Sequence, residues 1–312
     1  MSDAPIGVLL MAMGGPDSLE AVGPFLNDVR GGRATPPELV EEITERYRQT
    51  GGRSPVLAIT KELGKRLEDR LNGTGPPRFK VYVGLRHWHP YIRETWREIV
   101  ADGIHRVVGV CLAPQNSRMS VGAYIKKVED AQAETGAPTR FTYISSWNTH
   151  PALIQAIAAN IREGLKRFPD EVRDQVPVLF TAHSLPERIL KDDDPYPREV
   201  RGTVEAVVAA IQRAVWRFAF QSQGRSAETW LGPTVEETLD DLHRLGYRHV
   251  LVAPIGFVSD HLEILYDIDI EFKKRAADQG LWLERIPMLN ASPPLVETLA
   301  DVITAHLNEA AV

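Results

Sequence analysis

Two kinds of side chain in this 312-residue chain are spaced for work on a metal ion or a proton. The first is a run of acids. In VAPIGFVSDHLEILYDIDIE, from Val252 to Glu271, the carboxylates Glu263, Asp267 and Glu271 follow at i, i+4 and i+8, with Asp260 three residues ahead. On a helix capped by Ser259 or Asp260 that spacing lines one face with acids. Like charges at i, i+4 repel by about 0.2–0.5 kcal/mol, so such a column is either a plain solvated face or one that handles cations. The second is His183, in Thr181-Ala182-His183-Ser184-Leu185-Pro186, where an apolar strand ends ahead of a proline that disfavours helix. A strand-end histidine is often only a satisfied structural residue. Converging with a carboxylate such as Glu263, it can bind a divalent ion or share a proton.

The elements that must position these groups alternate along the chain. Strands are expected at Ile6 to Met13, Lys80 to Arg86, Arg106 to Pro114, Arg140 to Ser146, Pro177 to Ser184, Glu228 to Leu231, His249 to Phe257 and Trp282 to Met288, with helical stretches between. That order predicts an α/β fold of parallel sheets covered by helices. An internal repeat sharpens it: ETWREIVADGIHRVVGVCLAP from Glu94 superposes without a gap on ETLDDLHRLGYRHVLVAPIGF from Glu237. Each copy runs through a glycine, Gly103 or Gly246, into an apolar strand. The chain therefore divides into two similar halves of four strands each.

Residues 1–148 with 289–312 make the first half and 149–288 the second, with Asn148-Thr149-His150-Pro151 as the crossover. A last amphipathic helix, Ala291 to Leu307, is expected to return to the first half. Ligands favour domain interfaces and the carboxyl ends of parallel strands, so a central cleft is the expected site. The segment Asn27 to Ser54 breaks the alternation with a loop, a helix near Pro37 to Tyr47 and a Gly51-Gly52 turn, which suits a lip or lid.

Other residues bound the chemistry. The single cysteine, Cys111, excludes an intrachain disulfide, a CxxC zinc site and a cysteine-held iron–sulfur cluster within one chain, and it reads as core. His87 and His89, in HWHP, are cleft ligands or packing residues alike, and Asp192-Asp193-Asp194 reads as a solvated turn. Neither GxGxxG nor GxxxxGK[ST] occurs, so a nucleotide lacks its usual cradle. The lip arginines Arg30, Arg33, Arg46, Arg48 and Arg53 can hold carboxylates, but Asp28, Glu38, Glu41, Glu42 and Glu45 balance them. A net charge of −6 offers no nucleic-acid surface, and the short apolar start reads as a first strand and not a signal peptide. No run approaches the ~18 apolar residues of a membrane span, so a cytoplasmic protein is expected, peripheral membrane contact and oligomeric state being left open with a monomer favoured.

MAMGGP, RYRQTGGRSP, GLRHWHP, TAHSLPERI, WLGPTVEETL and PIGFVSDHLEILYDIDIE together resemble the ferrochelatases, most closely the coproporphyrin ferrochelatases of bacteria, over nearly the whole chain. The resemblance implies two Rossmann-like, chelatase-type halves and insertion of Fe²⁺, as substrate, into a porphyrin in haem biosynthesis, with no further cofactor. His183 and Glu263 match the family's metal and proton-handling pair. Asp267 and Glu271 match its acidic relay, in a helix carrying a π-type widening, with Asp260 as a further candidate. Arg30, Arg46, Tyr47, Ser54 and Tyr124 resemble its porphyrin contacts, and Met13 stands where many coproporphyrin enzymes carry tyrosine. Competing expectations are a protoporphyrin IX ferrochelatase, a chelatase for cobalt or another tetrapyrrole, and a porphyrin-binding protein without turnover. The last has no need of the acids behind Glu263.

Overall fold

Among the described residues eight strands pair in parallel throughout, as two four-stranded sheets of identical topology. The computed structural model describes residues 5–75, 77–224 and 228–309. Its chain resolves into two units, 1–147 with 259–261 and 290–312, and 148–258 with 262–289.

The first unit runs β1 (Ile6–Ala12), α1 (Val22–Val29), α2 (Pro37–Gln49), α3 (Val56–Asn72), β2 (Phe79–Leu85), α4 (Ile92–Ala101), β3 (Arg106–Cys111), α5 (Val121–Thr135) and β4 (Arg140–Ile144). Its sheet order is β2-β1-β3-β4. From Val8 to Met11, β1 is fully buried, as a central parallel strand covered on both faces must be. Leu9 and Met11 join Trp96 and Ile99 of α4 and Val128 of α5 in one core. Leu10 points the other way, to α3, where Gly64 sits so close that an added Cβ would lie 3.4 Å from Val81.

The second unit runs α6 (Pro151–Leu165), α7 (Asp170–Arg173), β5 (Val178–His183), a 3₁₀ turn (Glu187–Leu190), α8 (Tyr196–Ile211), β6 (Trp216–Gln221), α9 (Val235–Arg244), β7 (His249–Pro254), a π-helix (Glu263–Phe272), α10 (Lys273–Asp278) and β8 (Trp282–Arg285). The sheet order is β6-β5-β7-β8. The final helix, α11 (Pro293–Glu309), belongs to the first unit, where Glu297 pairs with Arg70 of α3 at 2.8 Å and His306 meets Thr142 of β4 at 3.1 Å.

The repeat is realised element by element: α4 and β3 correspond to α9 and β7, each a ten-residue helix and a six-residue strand. Gly103 and Gly246 follow the helices with φ of 71° and 88°, the left-handed backbone that ends a helix without a Cβ penalty. The α9 start is a capping box: Thr234 Oγ1 accepts from Glu237 N at 3.1 Å and Glu237 Oε2 from Thr234 N at 2.8 Å.

Two expectations are corrected. The sixth strand is Trp216–Gln221, and at the expected site, Glu228 to Leu231, Trp230 makes only an isolated antiparallel bridge to Pro186. Arg217 hides β6 in the sequence, because an edge strand tolerates a charge that points to solvent. Asp260 neither caps nor joins the acidic helix; it lies ahead of it and exchanges bonds with Asn290, accepting from Nδ2 at 2.7 Å and donating its N–H to Oδ1 at 2.8 Å. The helix is π-wound from Glu263, as the resemblance implied, so i→i+5 bonds replace i→i+4 while residues four apart still lie near one face. Ile264, Ile268 and Phe272 join the core of this unit, each contributing about 1.5–3 kcal/mol by burial.

Candidate functional site

His183 is the last residue of β5, and its surroundings hold it still. Tyr196 Oη donates to His183 O at 2.8 Å, Ser184 N donates to Gln221 O at 2.7 Å, and Ser184 Oγ donates to Leu231 O at 2.8 Å. The imidazole Nδ1 is bonded to Ser184 O, which makes Nδ1 the donor and leaves Nε2 as the reactive nitrogen. Nε2 lies 3.5 Å from Glu263 Oε1, with the two side chains 32% and 26% exposed. Gly256 brings the loop after β7 onto this strand end; a Cβ there would lie 2.8 Å from Ala182 Cα.

The other acids take different places. Asp267 is 7% exposed and accepts a 2.6 Å bond from Ser222 Oγ, whereas Glu271 is exposed. The order Glu263, Asp267, Glu271 thus runs from half-buried through buried to solvent. Burial by itself would push the His183 imidazole down. The Glu263 charge and hydrogen bond, the Ser184 carbonyl and the Asp267 charge outweigh it and push it up to about 9. Raised that far, the imidazole keeps its proton at neutral pH beside Glu263.

That pair is spaced for one metal ion. Two ligands each about 2.1 Å from a metal, at a tetrahedral angle of about 109°, stand about 3.4 Å apart. Among the described residues no cluster of three His, Cys, Asp or Glu is set to hold a metal. Two protein ligands leave coordination positions open, an arrangement suited to handing an ion on and not to storing it.

In the first unit, the turn after β1 meets two of the expected ring contacts. A Cβ on Gly15 would lie 2.4 Å from Ser54 Oγ and 3.5 Å from the Tyr47 hydroxyl. Met13, 42% exposed, accepts a 3.0 Å bond from His87 N. Tyr124, on α5, is buried with the Arg86 guanidinium 5.6 Å from its ring centroid. Arg46 pairs with Glu42 at 3.1 Å. Arg30, at the end of α1, makes no ion pair among the described residues, and its Nε is shielded from water without an acceptor. His87 is committed to Asp28, its Nδ1 2.7 Å from Oδ1, and burial lowers its basicity. His89 is exposed and bonds Glu94 at 3.0 Å, so neither histidine of HWHP joins a metal cluster. Asp194 is buried and accepts from Tyr196 N at 3.0 Å; of the supposed solvated turn only Asp192 and Asp193 are exposed. Cys111 is buried in β3 and its thiol is pushed up to about 12 by that burial.

A model of the Ferrochelatase family matches residues 5–307, a span holding both sheets and every residue above. The chain belongs to the ferrochelatase family. It is 46% identical over 303 residues to a ferrochelatase of Herpetosiphon aurantiacus, covering 97% of this chain and 99% of that one. It is 36% identical over 305 residues to a coproporphyrin III ferrochelatase of Oceanobacillus iheyensis, covering 97% of each. The fold is also that of SirB from Bacillus subtilis with Fe³⁺, at a TM-score of 0.60 and 10% identity over 96% of this chain and 94% of that one. This ferrochelatase is thus an enzyme of haem biosynthesis whose substrates are iron and a porphyrin. No helix among the described residues is long and apolar enough to cross a membrane.

Sequence reasoning missed Gln221 and Ser222 of this ferrochelatase. Both follow from β6, which the sequence placed elsewhere. A polar Gln-Ser pair closing an aromatic stretch was the available signal.

Proposed function

We propose that this ferrochelatase inserts Fe²⁺ into coproporphyrin III to give its iron complex. The observation that carries the substrate is the polar cradle after β1: the Ser54 and Tyr47 hydroxyls beside Gly15, to which the same lip segment adds Arg46 and Arg30, the latter without an ion pair among the described residues. A ring bearing four propionates gains more from such donors than a ring bearing two.

In this reading His183 Nε2 and Glu263 take Fe²⁺ after losing the proton they share at rest. Pyrrole protons and lone pairs lie in the plane of a flat ring, and bending the ring exposes them. The ion passes to the four nitrogens, two protons leave, and the freed imidazole and carboxylate accept them. Asp267 and then the exposed Glu271 carry protons away. No electron changes hands, so no redox cofactor is called for. The enzyme acts as a cytoplasmic monomer, which sedimentation and cell fractionation test.

Protoporphyrin IX is the second reading, favoured by Met13: an exposed thioether packs well against a vinyl-bearing ring and offers no phenol. Anaerobic turnover of Fe²⁺ with each porphyrin decides between them. A kcat/KM for coproporphyrin III about tenfold higher supports the proposal, as one extra charged hydrogen bond provides. Equal or reversed values overturn it.

A further inference from the structure

We propose that Gln221 is a positioning residue of this enzyme: its buried amide fixes Glu263 against His183 by tying the start of the π-helix to strand β5. The inference rests on the reading that His183 and Glu263 handle the iron.

Gln221 ends β6 and is 1% exposed, and in the β5–β6 register it stands opposite His183. Its Oε1 accepts from Thr181 Oγ1 at 2.7 Å, so its NH₂ faces the other way and donates to Glu263 O at 3.2 Å. Thr181 is fully buried two residues before His183. One short side chain therefore bridges the strand that carries the imidazole and the backbone of the residue that carries the carboxylate.

The choice of residue matters because of where the bond lands. Glu263 opens the π segment, and the atom that accepts from Gln221 is its backbone carbonyl oxygen. A fixed outside donor on that oxygen favours one direction for it. Consecutive strand residues normally point to opposite faces. Here Ser222 turns into left-handed backbone, φ 58°, uncommon for a residue with a side chain, and so both Gln221 and Ser222 reach the same helix. The amide holds the carbonyl of Glu263 and the hydroxyl holds the carboxylate of Asp267.

The test is a double-mutant cycle on kcat, on KM for porphyrin, and on Co²⁺ binding followed by absorbance without porphyrin. Gln221→Met keeps size and removes both bonds together with a longer one, 3.4 Å, from Nε2 to Ser222 Oγ; Thr181→Val removes only the tether to β5. Gln221→Met is expected to lower kcat about tenfold and weaken Co²⁺ binding while porphyrin KM stays within about twofold, since misplacement by about 1 Å can cost up to ~10²-fold. Thr181→Val should move the same quantities in the same direction by less. In a Glu263→Ala background neither change should cost residual turnover anything further, because the amide acts through Glu263. An unchanged kcat in Gln221→Met, or an equal loss in the Glu263→Ala background, overturns the inference. If Gln221→Met does not fold, the Thr181→Val cycle is read by the same rule. A Glu263→Ala enzyme with normal turnover is a separate result, and it removes the metal-pair reading itself.

Discussion

Arg285 of β8 grips Asp269 with two bonds, Nε to Oδ1 and Nη2 to Oδ2, each 2.8 Å. Asp269 is in the middle of the π-helix, two residues past the Asp267 that Ser222 holds, so the widened turns are pinned by strands on both edges of their sheet, β8 and the end of β6. The Arg285 side chain is 15% exposed and that of Asp269 36%, which places the pair between a surface and a buried ion pair. Arg285→Met should therefore cost about 1–2 kcal/mol, the range for a charged hydrogen-bonded pair discounted for that exposure. Urea unfolding measures it, and an unchanged midpoint would show that the apolar side chains alone hold the π segment.

Removing the imidazole tests the reaction centre. His183→Ala should lower turnover by at least ~10²-fold, the low end for a positioned acid–base group. Porphyrin affinity, titrated by fluorescence without metal, should stay within about threefold because the proposed ring contacts are other residues. Near-normal turnover would strip His183 of its role.

The raised His183 basicity has a direction in pH. The folded imidazole titrates at about 9 against a reference of 6.5, so the contribution of its proton to stability is complete below about 6.5 and is lost as pH rises toward 9. A divalent ion on Nε2 must displace that proton. Co²⁺ affinity should thus rise by up to about tenfold per pH unit between about 6.5 and 9, with about one proton released per ion bound. In His183→Ala the slope should largely vanish; a wild-type affinity that is flat over this window would contradict the paired imidazolium.

The arginines of the first unit can be separated by their partners. Arg46 already holds Glu42, whereas Arg30 makes no ion pair among the described residues. Arg30→Ala should lower kcat/KM for coproporphyrin III about tenfold or more, the loss of one charged hydrogen bond, and should change the value for protoporphyrin IX less. An equal loss with both porphyrins would mean that Arg30 reads a propionate common to them, or none.

Much of this protein is decided within short stretches of chain. The helix–strand repeat is legible because its signals are local: apolar periodicity, Gly103 and Gly246 at positions of positive φ, and the Thr234–Glu237 capping box all act within a few residues. The meeting of His183 and Glu263, 3.5 Å apart, is legible too, since each follows from a strand end of one parallel sheet. What needed the tertiary structure is what depends on residues far apart in sequence. Asp260 leaves the acidic column for Asn290, thirty residues on, and β6 is a strand because β5 pairs with it. The π-helix buries Ile264, Ile268 and Phe272 while Gln221, Ser222 and Arg285 hold it from outside, and no short window of sequence contains all six. The acidic face from Glu263 to Glu271 is legible in its spacing, and the resemblance implied the π widening. That Asp267 is buried and held by Ser222 was decided by packing, because the bond joins residues 45 apart in sequence.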